Sequence, residues 1–179
     1  MIALIGTAGR DKSKPMTAKL WASMVADALA RVPSGAALIS GGAAWADHLA
    51  VELFLLGHAS TLRLHLPAPF ATCDAFAGGY GTAGGAANFY HQAFSKTTGK
   101  LTVREIATAC HKGASFTVQP EAPGMSAFFA RNKLVAVEAS ACFAYTWGEG
   151  SEPTDGGTKN TWGQIKGDRV HVALGGLPA

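Results

Sequence analysis

Ala37-Leu38-Ile39-Ser40-Gly41-Gly42-Ala43-Ala44-Trp45-Ala46-Asp47-His48-Leu49-Ala50 is the stretch whose reading decides the fold. It reads as a short apolar strand, a tight glycine turn and then a helix. Ala46, Leu49, Ala50, Leu53, Phe54 and Gly57 make one face of that helix at 3.6-residue spacing. A strand that passes to a helix through Ser-Gly-Gly leaves the first N–H groups of the helix without partners, at the positive end of its dipole. A phosphate or carboxylate is their natural guest. Gly41 and Gly42 permit a positive φ and a close approach of ligand to backbone. Taken alone, the stretch fits an ordinary unliganded strand-to-helix turn equally well.

Outward from this unit, strand and helix patterns alternate. Ile2-Ala3-Leu4-Ile5 is a continuous apolar run, as in a parallel strand covered on both faces, and it ends in the small-residue loop Gly6-Thr7-Ala8-Gly9-Arg10. A helix follows Pro15 and runs to about Arg31, with Leu20, Met24, Val25 and Leu29 as its buried stripe, and Pro33-Ser34-Gly35 stops it. Gly57 caps the next helix. Thr61 to Leu66 alternates as a strand with one solvated face. Residues 68–85 read as a long loop, Asn88 to Phe94 as a short aromatic helix, and Thr102 to His111 as a helix with Thr102 and Glu105 at capping-box spacing. Ser115 to Val118 adds a strand. Met125 to Glu138 is a helix, Ala141 to Tyr145 a strand, Thr158 to Lys166 a helix and Val170 to Leu174 a final strand. The alternation predicts an α/β domain over residues 1–179, with a long insertion or lid after the third strand at about 67–123.

Composition narrows the function classes. The 179 residues are 48% hydrophobic and 15% charged, which suits a well-buried core rather than disorder. A formal charge of +3 permits phosphate contacts but lacks the concentrated basic face of a dedicated nucleic-acid binder. Cys73, Cys110 and Cys142 are dispersed and odd in number, which argues against a disulfide framework and fits a reducing cytoplasm. No secretory leader and no membrane span is expected. The histidines and cysteines show no zinc spacing, so neither a metal nor a cofactor is expected. Gly79-Tyr80-Gly81-Thr82-Ala83-Gly84 matches a dinucleotide-binding pattern but does not follow a strand, as that fingerprint requires. His65 and His171 lie in strand patterns and read as structural, whereas His91, beside Tyr90, is placed to touch a ligand.

Four landmarks in order resemble the SLOG superfamily, in particular its YspA-like (DUF2493), DNA-processing protein A and lonely-guy branches. Gly6-Thr7-Ala8-Gly9-Arg10 resembles that group's Gly-Ser-Arg loop. Ser40-Gly41-Gly42-Ala43-Ala44-Trp45-Ala46-Asp47 resembles its Ser/His-Gly-Gly-Ala-x-Gly-x-Asp motif. Arg131-Asn132 resembles its helical Arg-Asn pair, and Ala141 to Trp147 followed by Gly156-Gly157-Thr158 resembles its closing strand-glycine-threonine segment.

The resemblance covers residues 1–66 and 124–174. It implies a Rossmann-like open, mostly parallel sheet with helices on both faces, holding a nucleotide or nucleotide-derived molecule at its carboxyl edge. The binding residues it implies are Gly6, Thr7, Ala8, Arg10, Ser40, Gly41, Gly42, Ala43, Asp47, Arg131, Asn132, Thr146, Trp147, Gly156, Gly157, Thr158 and Thr161. Arg10 and Arg131 suit phosphate, and Asp47 suits a ribose hydroxyl or the helix N-terminus. Trp147 suits a base or the pocket rim. The lonely-guy enzymes carry a glutamate three residues after Gly-Gly-x-Gly-Thr, whereas here Lys159-Asn160-Thr161 follows Thr158. No catalytic residue is therefore assigned, although Asp155, Glu149, Glu152, Asp74 and Glu138 are available carboxylates. Three readings follow: a nucleotide-ligand sensor, foremost; an N-glycosidase with a non-standard carboxylate; and a single-stranded DNA binder, disfavoured by dispersed lysines. A homodimer is expected from exposed apolar helix faces.

Overall fold

A computed structural model describes residues 1–118, 126–154 and 156–178. In chain order they form β1 (Ile2–Gly6), α1 (Ala18–Arg31), β2 (Ala36–Ser40), a 3₁₀ turn (Trp45–Asp47), α2 (His48–Leu55) and β3 (Ala59–Leu66). There follow β4 (Phe70–Thr72), β5 (Ala75–Phe76), α3 (Ala83–Thr98), α4 (Thr102–His111), β6 (Ser115–Val118), α5 (Ser126–Glu138), β7 (Ala141–Thr146), α6 (Gly156–Gln164) and β8 (Asp168–Ala173).

Six strands form one sheet in the order β6-β3-β2-β1-β7-β8, with every pairing parallel. The apolar run in β1 serves both faces. Leu4 enters a core with Leu20, Met24, Leu49, Phe94 and Ile106 from α1 to α4, while Ala3 and Ile5 enter one with Val135 of α5, Trp162 of α6 and Ile165 just after α6. From β1 the chain steps outward through β2 and β3 to β6, then returns across the sheet to β7 and β8. Right-handed crossovers made in opposite directions place their helices on opposite faces, which is why α5 and α6 lie apart from the other four. This is a Rossmann-like open α/β sheet.

Residues 67–118, read as an insertion, are built into this frame. β6 extends the sheet through Arg63↔Ser115 and Leu66↔Val118, and Phe76, Phe94 and Ile106 are fully buried in the first core. The stretch read as a loop contains the antiparallel pair β4–β5. The aromatic helix extends to 16 residues, capped by Thr82, whose hydroxyl accepts the N–H of Gly85 at 3.1 Å. α4 has the predicted bounds, but its capping box does not form. Leu101 is its N-cap, and Thr102 is buried, its hydroxyl shared with His91 and Ser95 on α3. Glu105 instead meets His48 and Lys100. β3 is solvated only along its first half, because His65 near its end meets Thr117 of β6 and Glu138 of α5.

Candidate functional site

β1 and β7 are neighbours in the sheet, but the chain leaves them for opposite faces. At such a topological switch point a crevice opens outside the carboxyl ends of the strands. A cleft of about 750 Å³ lies there. It is lined by the loop after β1 (Thr7, Ala8, Arg10, Asp11, Lys14), the turn after β2 (Gly41, Ala43, Asp47) and α5 (Phe128, Phe129, Arg131, Asn132). Thr146 to Gly148 after β7, Gly156 to Thr158 and Thr161 of α6, and Tyr90 of α3 complete it.

Of the seventeen residues implied by the family resemblance, fifteen line this cleft; Ser40 and Gly42 do not. Both lie behind the wall. Ser40 is buried, with its hydroxyl donating to the Asp47 carbonyl at 2.8 Å and accepting the Gly42 N–H at 3.3 Å, so it ties the two ends of the turn together. Gly42, at φ +64, presses against Leu66 and offers its carbonyl to the ring of His91 at 3.1 Å. His91 is therefore not a cleft residue. It is 1% exposed, and burial brings its pKa down to about 3, so a neutral imidazole supports the glycine turn from beneath. The sequence carried no signal for this contact, because it joins a side chain to a backbone carbonyl 49 positions away.

The strand-turn-helix unit differs from its expected form at the turn. Helix α2 does not begin directly after Ser-Gly-Gly, because the 3₁₀ turn intervenes and swings Asp47 back over the glycines. Asp47 Oδ2 lies 3.5 Å from the Ala43 N–H, at the turn that was expected to attract an outside anion. Asp47 is 7% exposed; burial pushes its pKa up, while the charge of Arg131 and the N–H groups of Ala43, Gly41 and Gly6 pull it down. A side chain on Gly41 would lie 2.8 Å from Asp47 Oδ2 and 3.0 Å from the Arg131 guanidinium, so glycine at this position is what lets the two charges flank one backbone unit. The turn also strains Trp45, which takes φ +63 at the position where the SLOG motif has glycine. Its indole is held against Phe94 at 4.2 Å between ring centroids and edge-on to Trp21 at 6.4 Å.

Arg131 is the second buried charge. Its Nη1 donates to the Gly41 carbonyl at 2.6 Å and its Nε to Asn132 Oδ1 at 3.3 Å, while Phe128 lies under the guanidinium at 5.0 Å. Burial lowers its pKa, against the attraction of Asp47. Among the described residues no carboxylate comes within 4.0 Å of it, and Nη2 has no protein partner. Arg131 thus lines the cleft with Nη2 bonded to no other described residue.

The α6 end is fastened to β1. Gly6 fits against the Tyr145 carbonyl, which a Cβ would meet at 2.0 Å; the Thr7 N–H donates to that carbonyl at 2.9 Å and the Thr158 hydroxyl to the Gly6 carbonyl at 3.0 Å. The first turn of α6 therefore faces the cleft beside Asn132, whose amide sits 3.1 Å from the place of a Gly157 Cβ. The Thr161 hydroxyl is spent on its own helix, donating to the Gly157 carbonyl at 2.9 Å. Thr146 shares its hydroxyl with His171 at 2.7 Å. At the mouth, Arg10 stacks on Tyr90 at 5.2 Å. Asp74 pairs with Arg104 and Glu138 with Arg63, both outside the cleft, and exposed Glu149 and Glu152 do not line it; Asp155 lies outside the described residues. No group of residues among those described is arranged to hold a metal ion, and no helix is long and apolar enough to cross a membrane.

No protein-family model matches the chain. Over 129 residues, 72% of its length, the chain is 36% identical to an uncharacterized protein of Acanthamoeba polyphaga mimivirus. That match spans 65% of the viral protein, just under two thirds of it.

Proposed function

We propose that the switch-point cleft binds a nucleotide or a nucleotide-derived small molecule, and that the protein acts as a sensor or carrier of that ligand. Arg131 carries the proposal. Arg131 is buried with no carboxylate within 4.0 Å among the described residues, and burying a cation away from a close counter-charge costs several kcal/mol. An anionic ligand beside the guanidinium offsets that cost. The exposed cations Arg10 and Lys14 and the amides opening α6 add positive potential around the same cleft. Tyr90, Phe128, Phe129 and Trp147 supply flat apolar surface suited to a base.

The test is calorimetric titration of the purified chain with AMP and with ADP-ribose, repeated on Arg131→Ala and Arg131→Lys. The wild type is expected to bind one of them. Arg131→Ala should lose at least about tenfold in affinity, since hydrogen bonds to charged groups contribute ~1.5–3 kcal/mol. Arg131→Lys recovers part of it, keeping the charge without the fork. Equal affinity in a folded Arg131→Ala protein would sink the assignment.

One observation favours a second reading, as an N-glycosidase: Asp47 is the buried carboxylate of the cleft lining, the type of group glycosidic cleavage requires. Mass spectrometry of the titrated nucleotide distinguishes the two, because free base appears only if the ligand is cleaved. Self-association through the exposed Phe129, Leu134 and Val137 of α5 is the matching proposal for oligomeric state. Free Cys73, Cys110 and Cys142 support a cytoplasmic location.

A further inference from the structure

Across the sheet from Arg131, the hydrogen bonds of His171 fix which way one hydroxyl in the cleft points. His171 lies on β8, the strand beside β7. Its Nδ1 is 2.6 Å from the Gly150 carbonyl, which can only accept, so Nδ1 carries the proton. In the neutral ring Nε2 is then an acceptor, and the Thr146 hydroxyl, 2.7 Å away, must donate to it. The proton of that hydroxyl is thereby turned away from the cleft, which Thr146 lines, and a ligand there meets only oxygen lone pairs. The Gly148 N–H approaches the same oxygen at 3.4 Å, so at least one of its two lone pairs remains for a ligand.

Whatever meets Thr146 must therefore bring a hydrogen-bond donor, and its place in the sheet selects which. Arg131 holds the Gly41 carbonyl just past β2, whereas Thr146 ends β7. β1 lies between those two strands, so Gly41 and Thr146 are two strand spacings, ~10 Å, apart. That is the reach of a nucleotide from its phosphate to the outer edge of its base; the ribose hydroxyls lie much nearer the phosphate. Trp147, the next residue of the cleft lining, has a ring suited to a base. Resting on the nucleotide reading above, we propose that Thr146, oriented by His171, selects a nucleotide whose base carries an exocyclic amino group at that edge, as adenine does, over one with a keto oxygen there. The amino group donates to Thr146 Oγ1. A keto oxygen sets two acceptors against each other and leaves both unmet. Thr146 touches the ligand, and His171 is a positioning residue.

The experiment is equilibrium binding of AMP and IMP, whose bases differ at that edge, to the full chain at pH 8, where imidazole is ordinarily neutral. Wild type, Thr146→Val, Thr146→Ser and His171→Phe are compared. Wild type is expected to bind IMP at least about tenfold more weakly than AMP. Thr146→Val, without the hydroxyl, should bring the two affinities together, and Thr146→Ser should restore the difference. His171→Phe frees the hydroxyl to donate as well as accept, so IMP should gain on AMP; a loss shared equally by both nucleotides would overturn the positioning role. If wild type binds AMP and IMP equally, or prefers IMP, base selection by Thr146 is overturned while the nucleotide reading stands. A preference that persists in folded Thr146→Val overturns it as well. If neither nucleotide binds wild type, the nucleotide reading falls and this inference with it. Where one variant fails to fold, the wild type and the remaining variants still decide the matter.

Discussion

Asp47 shows how a residue can be legible as important while the turn beside it takes a form its sequence does not announce. Its spacing from the glycine turn marked it for the site, but the turn was expected to bind an outside anion. That the side chain folds back over the turn depends on the 3₁₀ turn and on Trp45 at φ +63, a backbone state that no pattern of side chains announces. A consequence is testable. Burial raises the pKa of Asp47, so its ionised form destabilises the fold at neutral pH, and the contribution becomes less unfavourable as pH falls through the folded pKa. Asp47→Asn removes the buried charge and is expected to stabilise the protein to urea by ~0.5–2 kcal/mol at pH 7, in the direction usual for neutralising a functional site. A loss of stability in that titration would mean that the backbone N–H groups outweigh desolvation. Trp45 carries the opposite balance. Trp45→Gly relieves strain of about 1–3 kcal/mol but vacates an aromatic site whose truncation costs about 3–5 kcal/mol. The expected net is a lower Tm in thermal melts.

Among the elements, periodicity located helices and strands well and said little about what their polar residues touch. α4 has its predicted ends because Thr102 to His111 is strongly amphipathic, whereas Thr102, expected as a cap, is drawn into the buried cluster with His91 and Ser95. The β4–β5 pair escaped notice because strands this short carry too few residues for alternation to register. Helix α3 links this region to the site: Asn88 holds both the N–H and the carbonyl of Phe76, each at 2.9 Å, and His91 holds Gly42. His91→Leu would leave the Gly42 carbonyl and the Thr102 hydroxyl facing an apolar side chain. One buried polar group left unmet costs ~1–3 kcal/mol, and the variant is expected to lose at least that in urea unfolding. AMP affinity should fall with it, because the glycine turn that carries Asp47 loses its support. Destabilisation with unchanged affinity would confine His91 to packing.

At the scale of the whole molecule, the alternation of apolar runs and helices was enough to indicate a parallel sheet covered on both faces. Strand order was not written in any one segment. It follows from crossover handedness together with the point at which the chain turns back, between β6 and β7, and that reversal is what gathers residues as distant as Thr7, Asp47, Arg131 and Thr158 around one cleft. The same packing buries ionisable groups, and this sets how stability responds to acid. Burial lowers the pKa of His91 from 6.5 to about 3, aided by the nearby charge of His48. Between those values the unfolded chain takes up a proton that the folded chain refuses, so stability falls as pH drops through the window. His65, lowered mainly by burial against the pull of Glu138, acts in the same sense. For Glu105, burial would raise the pKa, but the hydrogen bonds from His48 and Lys100 and their charges together hold it down from 4.5 to about 2. Its contribution is present above pH 4.5 and is lost as pH falls toward 2. Asp47 works against these three. Urea unfolding measured from pH 8 to pH 3 should therefore show a midpoint that begins to fall below about pH 6.5 and steepens below about pH 4.5. In His91→Leu the upper part of that slope should flatten and the lower part remain; a slope unchanged by the substitution would place the titrating group elsewhere.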